Sequence, residues 1–327
     1  MKKYVLFLCA FFCLLGSVGC QRKTPSFSRS GFALNTAVSV TVYDVPKATA
    51  DKALAASFEE IERLEALLSV TREGSDIEKL NKANGQVTEI SNETVKLLLQ
   101  AKEYGKLSNG AFDVTIRPLT ALWDFSAENP TVPREDALLQ AVKAVDYRQL
   151  AVTEKTAQLP MGAGVDLGGI AKGYVADSVR KVLQQYGVSS AIIDLGGNIV
   201  ACGNKQGKKF RIGIKNPKET AQLCAVIEGE DISAVTSGVY ERGFTVDGVW
   251  YHHLLDPKTG MSVNNGISSV TIVCESSAQA DALSTACFVM GEQAATKLIE
   301  SLDGVEALFV RTDGTIKATD GLFYDKV

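Results

Sequence analysis

The order of apolar and polar residues predicts an amphipathic strand followed by an amphipathic helix early in the chain. Residues 35–45 ("NTAVSVTVYDV") alternate between apolar and polar side chains and are rich in β-branched residues, which is typical of a half-buried strand. In residues 51–70, apolar side chains recur at helical spacing and form one stripe: Leu54, Phe58, Ile61, Leu64 and Leu68. This stripe predicts a helix with one face against the core.

Further along, the same reasoning predicts more helices and a series of short strands. The predicted helices cover residues 93–107, 133–145, 174–186 and 278–302. The predicted strands are short apolar stretches: "SSAIIDL", "NIVACG", "KFRIGI", "CAVIEG", "SAVTSG" and "SSVTIVC". A later hairpin is indicated by Asp313–Gly314, a pair that favours tight turns. Short hairpin-connected strands with a few long helices indicate an α+β fold with mostly antiparallel sheets.

Composition and charge indicate a globular protein. Of the 327 residues, 46% are apolar and 22% are charged, which is ordinary for folded domains. The 34 basic and 38 acidic side chains give a formal net charge of −4, and no run of five or more basic residues is present. Because broad electrostatic binding to nucleic acid requires basic clusters, we expect no nucleic-acid partner.

The first twenty residues predict export. Lys2 and Lys3 precede a short apolar run that ends at Cys20, which is typical of a secretory signal and short for a membrane span. The small residues before Cys20 resemble a bacterial lipobox, although Ser17 stands where leucine is usual. We therefore expect a protein that is lipid-anchored at Cys20. A plain cleaved signal and an uncleaved anchor are the alternatives.

The chain is thereby predicted to have three parts. Residues 1–20 are expected to be a lipoprotein signal peptide and residues 21–30 a polar tether. Residues 31–327 are expected to be the folded domain, which is either undivided or composed of two subdomains.

Four cysteines follow the lipobox, and their spacing gives no metal or redox signal. Cys202, Cys224, Cys274 and Cys287 lie far apart and form no Cys-x-x-Cys pair. Three of them lie in apolar runs, so we expect them to be small core residues.

Residues 165–177, "VDLGGIAKGYVAD", place a carboxylate between an apolar stretch and two glycines that precede a helix. In this arrangement backbone N–H groups converge and bind phosphate, and glycines let the backbone approach a ligand closely. Lys172 adds positive charge, and Asp166 accepts hydrogen bonds. A purely structural turn is the alternative. The letters Asp-Leu-Gly-Gly return in "IIDLGGNI", where we expect Asp194 to support the pocket wall.

Asp281 and Thr285 stand four residues apart on the last predicted helix, so their side chains lie on one face. A carboxylate with a hydroxyl suits a hard cation such as Mg²⁺ rather than zinc. Such pairs also occur on solvated helix faces. Here the surrounding apolar residues predict a buried helix, in which a carboxylate requires a partner.

Both histidines of the chain, His252 and His253, lie in "YHHLLDPKTG" beside a turn. Histidine exchanges a proton near neutral pH, so this stretch offers a candidate general base. A packing role above the turn is the alternative.

Taken together and in this order, eight segments resemble the ApbE-like FAD:protein FMN transferases. They are "LNTAVSV", "LLSVTREGSDIEKLN", "GAFDVTIRPL…LWDF", "VDLGGIAKGYVAD", "IIDLGGNI", "SGVYERGF", "HLLDPKTG" and "ADALSTACFVMG". This resemblance implies an ApbE-like (T-fold-like) catalytic domain on the periplasmic side of the bacterial inner membrane. Such an enzyme cleaves FAD with Mg²⁺, attaches FMN by a phosphoester to a Thr or Ser of an acceptor protein and releases AMP. Acceptors in the family include subunits of sodium-pumping quinone reductase and of Rnf-type electron-transfer complexes.

The resemblance also implies roles for residues of this chain. The carbonyl of Gly169 and the side chains of Asp281 and Thr285 would hold the metal, and His253 would deprotonate the acceptor hydroxyl. Asp281 and His253 are therefore the expected catalytic residues. The residues expected to contact FAD are Leu34, Thr71, Ala111, Phe112, Asp113, Asp166, Lys172 and Leu255.

Three positions depart from the family pattern. Leu34–Asn35–Thr36 replaces Met-Gly-Thr, Arg117 replaces a glycine in "TIRPL", and Thr71 replaces an aromatic residue. Loss of a ring on FAD removes about 0.5–1.5 kcal/mol of stacking and opens the phosphates to water. An exported Mg²⁺-dependent FAD pyrophosphatase that yields FMN and AMP is therefore one alternative function. A flavin-binding lipoprotein without turnover is another.

Overall fold

The structure is a computed structural model that describes residues 25–327. The predicted signal peptide, the lipidation site Cys20 and the first part of the predicted tether lie outside the described residues. Within the described range the helices are α1 (Lys47–Leu68), α2 (Asp76–Lys82), α3 (Asn92–Leu107), α4 (Arg117–Trp123), α5 (Glu135–Lys143), α6 (Ala171–Gln185), α7 (Ser277–Met290) and α8 (Glu292–Ile299).

The strands are mostly short. They are β1 (Ser26–Ala33), β2 (Thr36–Tyr43), β3 (Thr88–Glu89), β4 (Ala151–Val152), β5 (Thr156–Gln158), β6 (Ala191–Leu195), β7 (Asn198–Cys202), β8 (Phe210–Asn216), β9 (Glu219–Gly229), β10 (Ile232–Gly238), β11 (Gly243–Val246), β12 (Val249–His252), β13 (Ile267–Cys274), β14 (Glu306–Arg311), β15 (Ile316–Ala318) and β16 (Tyr324–Lys326). Eight of them form one sheet in the order β1-β2-β6-β7-β10-β13-β14-β15, and every neighbouring pair is antiparallel. The predicted α+β class is confirmed.

The first core layer lies between α1 and the sheet. Alternate residues of β2, namely Val38, Val40 and Val42, are buried on one face, as the alternation predicts. Of the predicted α1 stripe, Leu54, Ile61, Leu64 and Leu68 are buried, while Phe58 is partly buried at the edge of the cluster. The guanidinium of Arg29 lies 4.6 Å from the centre of the Phe58 ring, which accounts for this ring standing at the rim.

Strand β13 is buried at all eight positions. One face, with Val270 and Ile272, packs against α7 and α8. The other face, with Val273, packs against the small sheet β16-β9-β8. Because both faces are covered, Ser268, Ser269 and Thr271 are buried together with the apolar residues of the strand.

The two Asp-Leu-Gly-Gly stretches fold differently. In the second one, Gly196 and Gly197 have φ of +67° and +89° and form the two-residue turn between β6 and β7. The Asp194 carboxylate accepts a hydrogen bond of 3.1 Å from the Gly197 N–H and closes this turn. The glycines of the first stretch stand in the loop before α6. Because they have no side chains, neighbouring groups can approach this loop closely.

The hairpin β1–β2 explains one departure from the family pattern. Its two-residue turn consists of Leu34 and Asn35, with φ of +54° and +57°. Asparagine tolerates this left-handed conformation better than most residues, so it replaces glycine here at little cost.

Two sequence predictions of element bounds were wrong. Residues 26–30, expected in the tether, lie in β1, because β2 offers them a complete antiparallel partner. The helix expected over 278–302 divides into α7 and α8 at Gly291, whose φ of +80° ends one helix and precedes the next.

The four described cysteines are all buried and unpaired in the described part of the chain, as predicted for small core residues. Burial raises the pKa of Cys202 to about 11 and those of Cys274 and Cys287 to about 12. Their thiols therefore remain protonated and unreactive at neutral pH.

The helices of residues 25–327 differ in length and in apolar content. None of them is at once long enough and apolar enough to cross a bilayer.

Helices α6 and α7 pack with their backbones in contact. A Cβ atom on Gly173 of α6 would lie 2.2 Å from the Ser277 carbonyl oxygen and 2.7 Å from Ala278 Cα, both in the first turn of α7. The Asp177 carboxylate, one turn further along α6, accepts hydrogen bonds from Ser276 Oγ (3.0 Å), Ser277 N–H (2.9 Å) and Ala278 N–H (3.0 Å). Asp177 thus satisfies the free N–H groups at the start of α7 and fixes it against α6.

We predict that Gly173→Ala lowers the free energy of unfolding by about 1–3 kcal/mol, since the added methyl group meets backbone that cannot move aside. Alanine by itself favours a helix by about 1 kcal/mol over glycine, so a loss of stability identifies the α6–α7 contact as the cause. Urea unfolding measures the change. The control Gln184→Ala, on the exposed side of α6, should stay within about 0.5 kcal/mol of wild type. Equal or higher stability of Gly173→Ala would contradict the packing described.

Candidate active site

The candidate site lies where the start of α6 meets α7, with Asp281 at its centre. Only 3% of this residue is exposed. Its Oδ2 accepts a hydrogen bond of 2.9 Å from the Gly173 N–H, and its Oδ1 lies 3.6 Å from the Lys172 ammonium. The same ammonium donates to the Gly168 carbonyl at 3.2 Å. The predicted requirement that the buried carboxylate have a partner is met by these groups.

Two hydroxyl groups, those of Ser284 and Thr285, follow Asp281 along the same helix. Thr285 stands one turn after Asp281, and a Cβ on Gly169 would lie 3.2 Å from Thr285 Oγ1, so the glycine loop passes directly over this hydroxyl. Ser237, at the end of β10, brings its Oγ to 3.4 Å from Thr285 Oγ1 and 2.8 Å from Ser284 Oγ. Gly169 and Thr285 of the predicted metal-binding group are therefore adjacent, and Asp281 stands one helical turn before Thr285.

The chemistry of these donors fits a hard cation. They are one carboxylate, neighbouring hydroxyls and the backbone of the Gly169 loop, which are the oxygen ligands that Mg²⁺ prefers. Across residues 25–327 no group of three or more His, Cys, Asp or Glu side chains is placed to hold a metal ion. A soft-ligand site of the zinc type is thus not built into this part of the chain.

Because Gly169 has no side chain, the ring of Phe112 can also pack closely against it. The nearest ring carbon of Phe112 would lie 3.1 Å from a Cβ on Gly169. Phe112 and Ala111 are themselves buried, so the segment after α3 forms the floor beneath the glycine loop.

The carboxylates of Asp166 and Asp113 have partners within the protein. Asp166 accepts from the Gly168 N–H at 2.9 Å and from Thr120 Oγ1 at 2.7 Å, which ties the glycine loop to α4. Asp113 accepts from the Thr115 N–H and hydroxyl and from the Tyr147 N–H. Burial raises the pKa of Asp113. Both side chains hold loops in shape, and their contact with FAD stays a prediction.

His253 follows hairpin β11–β12, which reaches the same region. Its Nδ1 lies 3.2 Å from the Arg242 carbonyl oxygen. A carbonyl only accepts, so Nδ1 carries the proton and Nε2 keeps its lone pair. Desolvation lowers the pKa of His253 to about 4, and the charges of Arg242 and Lys172 act in the same direction. The imidazole is therefore neutral at physiological pH, the form that accepts a proton.

His252 has a packing role. Its Nε2 lies 3.0 Å from the Val263 carbonyl, and its ring meets Phe288 edge to face. Leu255 is buried with Leu119 and Trp123 in the apolar cluster between α4, α5 and the hairpin. The Trp123 N–H donates to the Gly260 carbonyl at 2.7 Å and fixes the turn after Leu255.

Leu34 lies in the turn of hairpin β1–β2, and Thr71 lies in the turn after α1. The Leu34 N–H donates to Glu65 Oε1 at 2.8 Å, and its side chain packs against the main core. Thr71 is exposed, and its N–H and hydroxyl contact Ser69 Oγ at 3.2 and 3.3 Å in the turn after α1. Their predicted contact with FAD remains a prediction.

Sequence analysis did not single out Ser237, Thr120, Gly173 or Asp177, although each contacts a predicted site residue or its helix. Gly173 and Asp177 stand inside "VDLGGIAKGYVAD", and their separation of four residues, one helical turn, is the signal that could have found them. Ser237 and Thr120 come from distant segments, and only the fold brings them to the site.

Comparison with known proteins gives a consistent result. The profile described as the ApbE family matches residues 34–309. The chain is 35% identical to an FAD:protein FMN transferase of Treponema pallidum, over 96% of this chain and 92% of that relative. It is 33% identical to one of Haemophilus influenzae, over 96% and 94%. The crystal structure of an ApbE protein of Thermotoga maritima superposes with a TM-score of 0.85 at 33% identity, over 90% of this chain and 97% of that one.

We predict that the His253 ring stays neutral, protonated on Nδ1, as the pH falls from 8 to 5, and that it is half protonated only near pH 4. Because the folded pKa lies below the unfolded value of about 6.5, protonation favours the unfolded chain. The stability that His253 contributes is thus complete above pH 6.5 and decreases toward pH 4. NMR of the imidazole nitrogens measures this, and His252→Gln assigns the two rings. A midpoint near 6.5 for His253 would contradict the described environment.

Proposed function

Because this chain belongs to the ApbE family, we propose that it is an FAD:protein FMN transferase. It cleaves the diphosphate of FAD, attaches FMN through a phosphoester to a Thr or Ser hydroxyl of an acceptor protein, and releases AMP. The observation that carries this proposal is the pairing of a buried carboxylate, Asp281, with the ammonium of Lys172 among hydroxyl groups. The names of the curated relatives support the same activity.

We propose Mg²⁺ as the metal of this site. Asp281 and Thr285, with the carbonyl of Gly169, would hold it, since they supply hard oxygen donors on adjoining segments. Bound there, it would supply positive charge that neutralises the diphosphate as the P–O bond breaks.

The chain's own groups account for the rest of the reaction. Lys172 lies in the glycine loop region and offers its ammonium to a phosphate oxygen. His253 accepts the proton of the acceptor hydroxyl at Nε2 while that oxygen attacks the phosphorus of the FMN half. The bond from this phosphorus to the bridging oxygen breaks, and the electron pair leaves with AMP. The imidazole must be neutral to accept this proton; the lowered pKa of His253 keeps it neutral and at the same time makes it a weaker base.

We propose the remaining contacts with FAD from the positions of the residues in the fold. The floor segment Ala111–Asp113 adjoins Gly169 through Phe112, and Asp166 shapes the same loop. Leu34 stands at the tip of hairpin β1–β2. Leu255 comes two residues after His253 in the sequence. We propose that these residues line the flavin and nucleotide halves of the substrate.

A second function is favoured by Thr71. This residue is exposed and polar, and it contacts Ser69 rather than covering the site with a ring. If water takes the place of the acceptor hydroxyl, the same groups hydrolyse FAD to FMN and AMP. The second candidate is therefore an Mg²⁺-dependent FAD pyrophosphatase.

The deciding experiment incubates the purified protein with FAD, Mg²⁺ and a candidate acceptor domain, such as one from an Rnf-type complex or a sodium-pumping quinone reductase. Flavin fluorescence that stays on the acceptor in a denaturing gel, with one AMP per flavin, supports transfer. FMN and AMP without a labelled acceptor support hydrolysis. Intact FAD throughout would overturn both and leave a flavin-binding lipoprotein.

We predict that Asp281→Ala abolishes FAD cleavage and transfer together, because both need the charge at this position. His253→Ala should slow transfer by about 10²–10⁴-fold, the usual contribution of a general base, and slow hydrolysis less. AMP release and acceptor labelling are measured in the same reaction. Undiminished turnover of Asp281→Ala would remove it from the site, and equal losses in His253→Ala would argue against its role toward the acceptor hydroxyl.

We also propose that the protein is exported and held on the periplasmic side of the inner membrane by a lipid on Cys20. Cys20→Ser should then abolish incorporation of labelled palmitate and release the protein to the soluble periplasmic fraction. The control Cys202→Ser, at a buried thiol, should leave labelling unchanged. Unchanged labelling of Cys20→Ser would exclude lipid attachment at this residue.

A further inference from the structure

The Asp281 carboxylate divides its two oxygens between two different partners. Oδ2 is held by the Gly173 N–H at 2.9 Å, a neutral hydrogen bond from the backbone. Oδ1 faces the Lys172 ammonium at 3.6 Å. Because the carboxylate is almost fully enclosed, its negative charge needs a nearby positive one. Lys172 is the cation that supplies it.

The position of Lys172 is itself determined by the protein. Its side chain is 27% exposed, and its ammonium is hydrogen-bonded to the Gly168 carbonyl at 3.2 Å. Gly168 and Gly169 belong to the same loop that passes over Thr285. The ammonium therefore stands between the glycine loop and α7, on the side of the carboxylate that Gly173 leaves free.

We propose that Lys172 acts as the internal counter-cation of Asp281 in the metal-free protein and competes with the divalent metal ion for this carboxylate. The inference rests on the proposed function, because it takes Asp281 as a metal ligand. A divalent ion and an ammonium beside one carboxylate oxygen repel each other strongly at such short range. Metal binding thus requires the ammonium to leave Oδ1.

An ammonium displaced in this way becomes free to bind an anion near the glycine loop. The diphosphate of FAD is the anion that the proposed reaction brings there. Binding of the metal releases the Lys172 ammonium from Asp281, and the diphosphate then binds this ammonium. The metal and the diphosphate therefore favour each other's binding, and such coupling is reciprocal. The metal alone is held weakly, which limits its binding before the substrate arrives.

The test measures binding of Mn²⁺ alone, without FAD or acceptor. Wild type, Lys172→Met and Lys172→Arg are titrated with MnCl₂ by calorimetry and by the electron paramagnetic resonance signal of free Mn²⁺. Lys181→Met, which removes an exposed lysine of the same helix, is the matched control. Asp281→Asn removes the carboxylate, and Lys172→Gln serves if the methionine variant does not fold. Thermal unfolding of every variant is recorded with and without Mn²⁺.

We expect Lys172→Met to bind Mn²⁺ roughly tenfold or more tightly than wild type, since the competing charge is gone. Lys172→Arg and Lys181→Met should bind as wild type does. Without metal, Lys172→Met should unfold at a lower temperature than wild type, because Asp281 is left unpaired, and Mn²⁺ should raise its Tm by more. Equal or weaker Mn²⁺ binding in Lys172→Met would overturn the inference alone. If Asp281→Asn binds as wild type does, or no variant binds Mn²⁺, the proposed metal site fails as well.

Discussion

A single buried negative charge organises the candidate site. The Asp281 carboxylate cannot remain in the protein interior without compensation, because the loss of hydration costs several kcal/mol. Its compensation comes from one backbone N–H and one ammonium, both at the start of α6. This need explains why α6 approaches α7 so closely that residue 173 has no room for a side chain.

The other polar groups of the site act mainly on the backbone. Asp177 holds the first turn of α7, Asp166 shapes the glycine loop, and Asp113 closes the floor segment. Each carboxylate accepts hydrogen bonds from backbone N–H or hydroxyl groups and so fixes the segment that carries them. The proposed reactive groups, Asp281, Lys172 and His253, are thus few, and more numerous polar residues hold the backbone around them.

The sequence allowed the long elements and the central motifs to be predicted. The stripe of α1 and the alternation of β2 arise from burial on one face, which is visible in the order of residues alone. Gly169, which the family resemblance places beside Thr285, lies against the Thr285 hydroxyl. The glycine loop could be recognised because its letters carry chemistry, a carboxylate, two glycines and a lysine, at close spacing.

What could not be predicted depends on contacts between distant segments. Ser237 reaches Thr285 only because β10 lies beside α7, and the partners of Asp113 lie partly in a turn at Tyr147. The helix expected over residues 278–302 divides at Gly291 because of the backbone conformation of this one residue, which the periodic pattern of apolar residues does not reveal. Hairpin β11–β12 did carry a local signal, the Asp247–Gly248 pair with positive φ at both residues, but four-residue strands are too short to show a pattern.

Strand β13, enclosed on both faces, leads into α7 within three residues. The helix that bears Asp281 is therefore continuous with the most deeply packed part of the sheet. Because α7 is mostly buried, we expect its backbone amides to exchange with solvent more slowly than those of hairpin β11–β12. Over evolutionary time, residues of surface hairpins such as β11–β12 have more freedom to change than those of α7, most of which are buried.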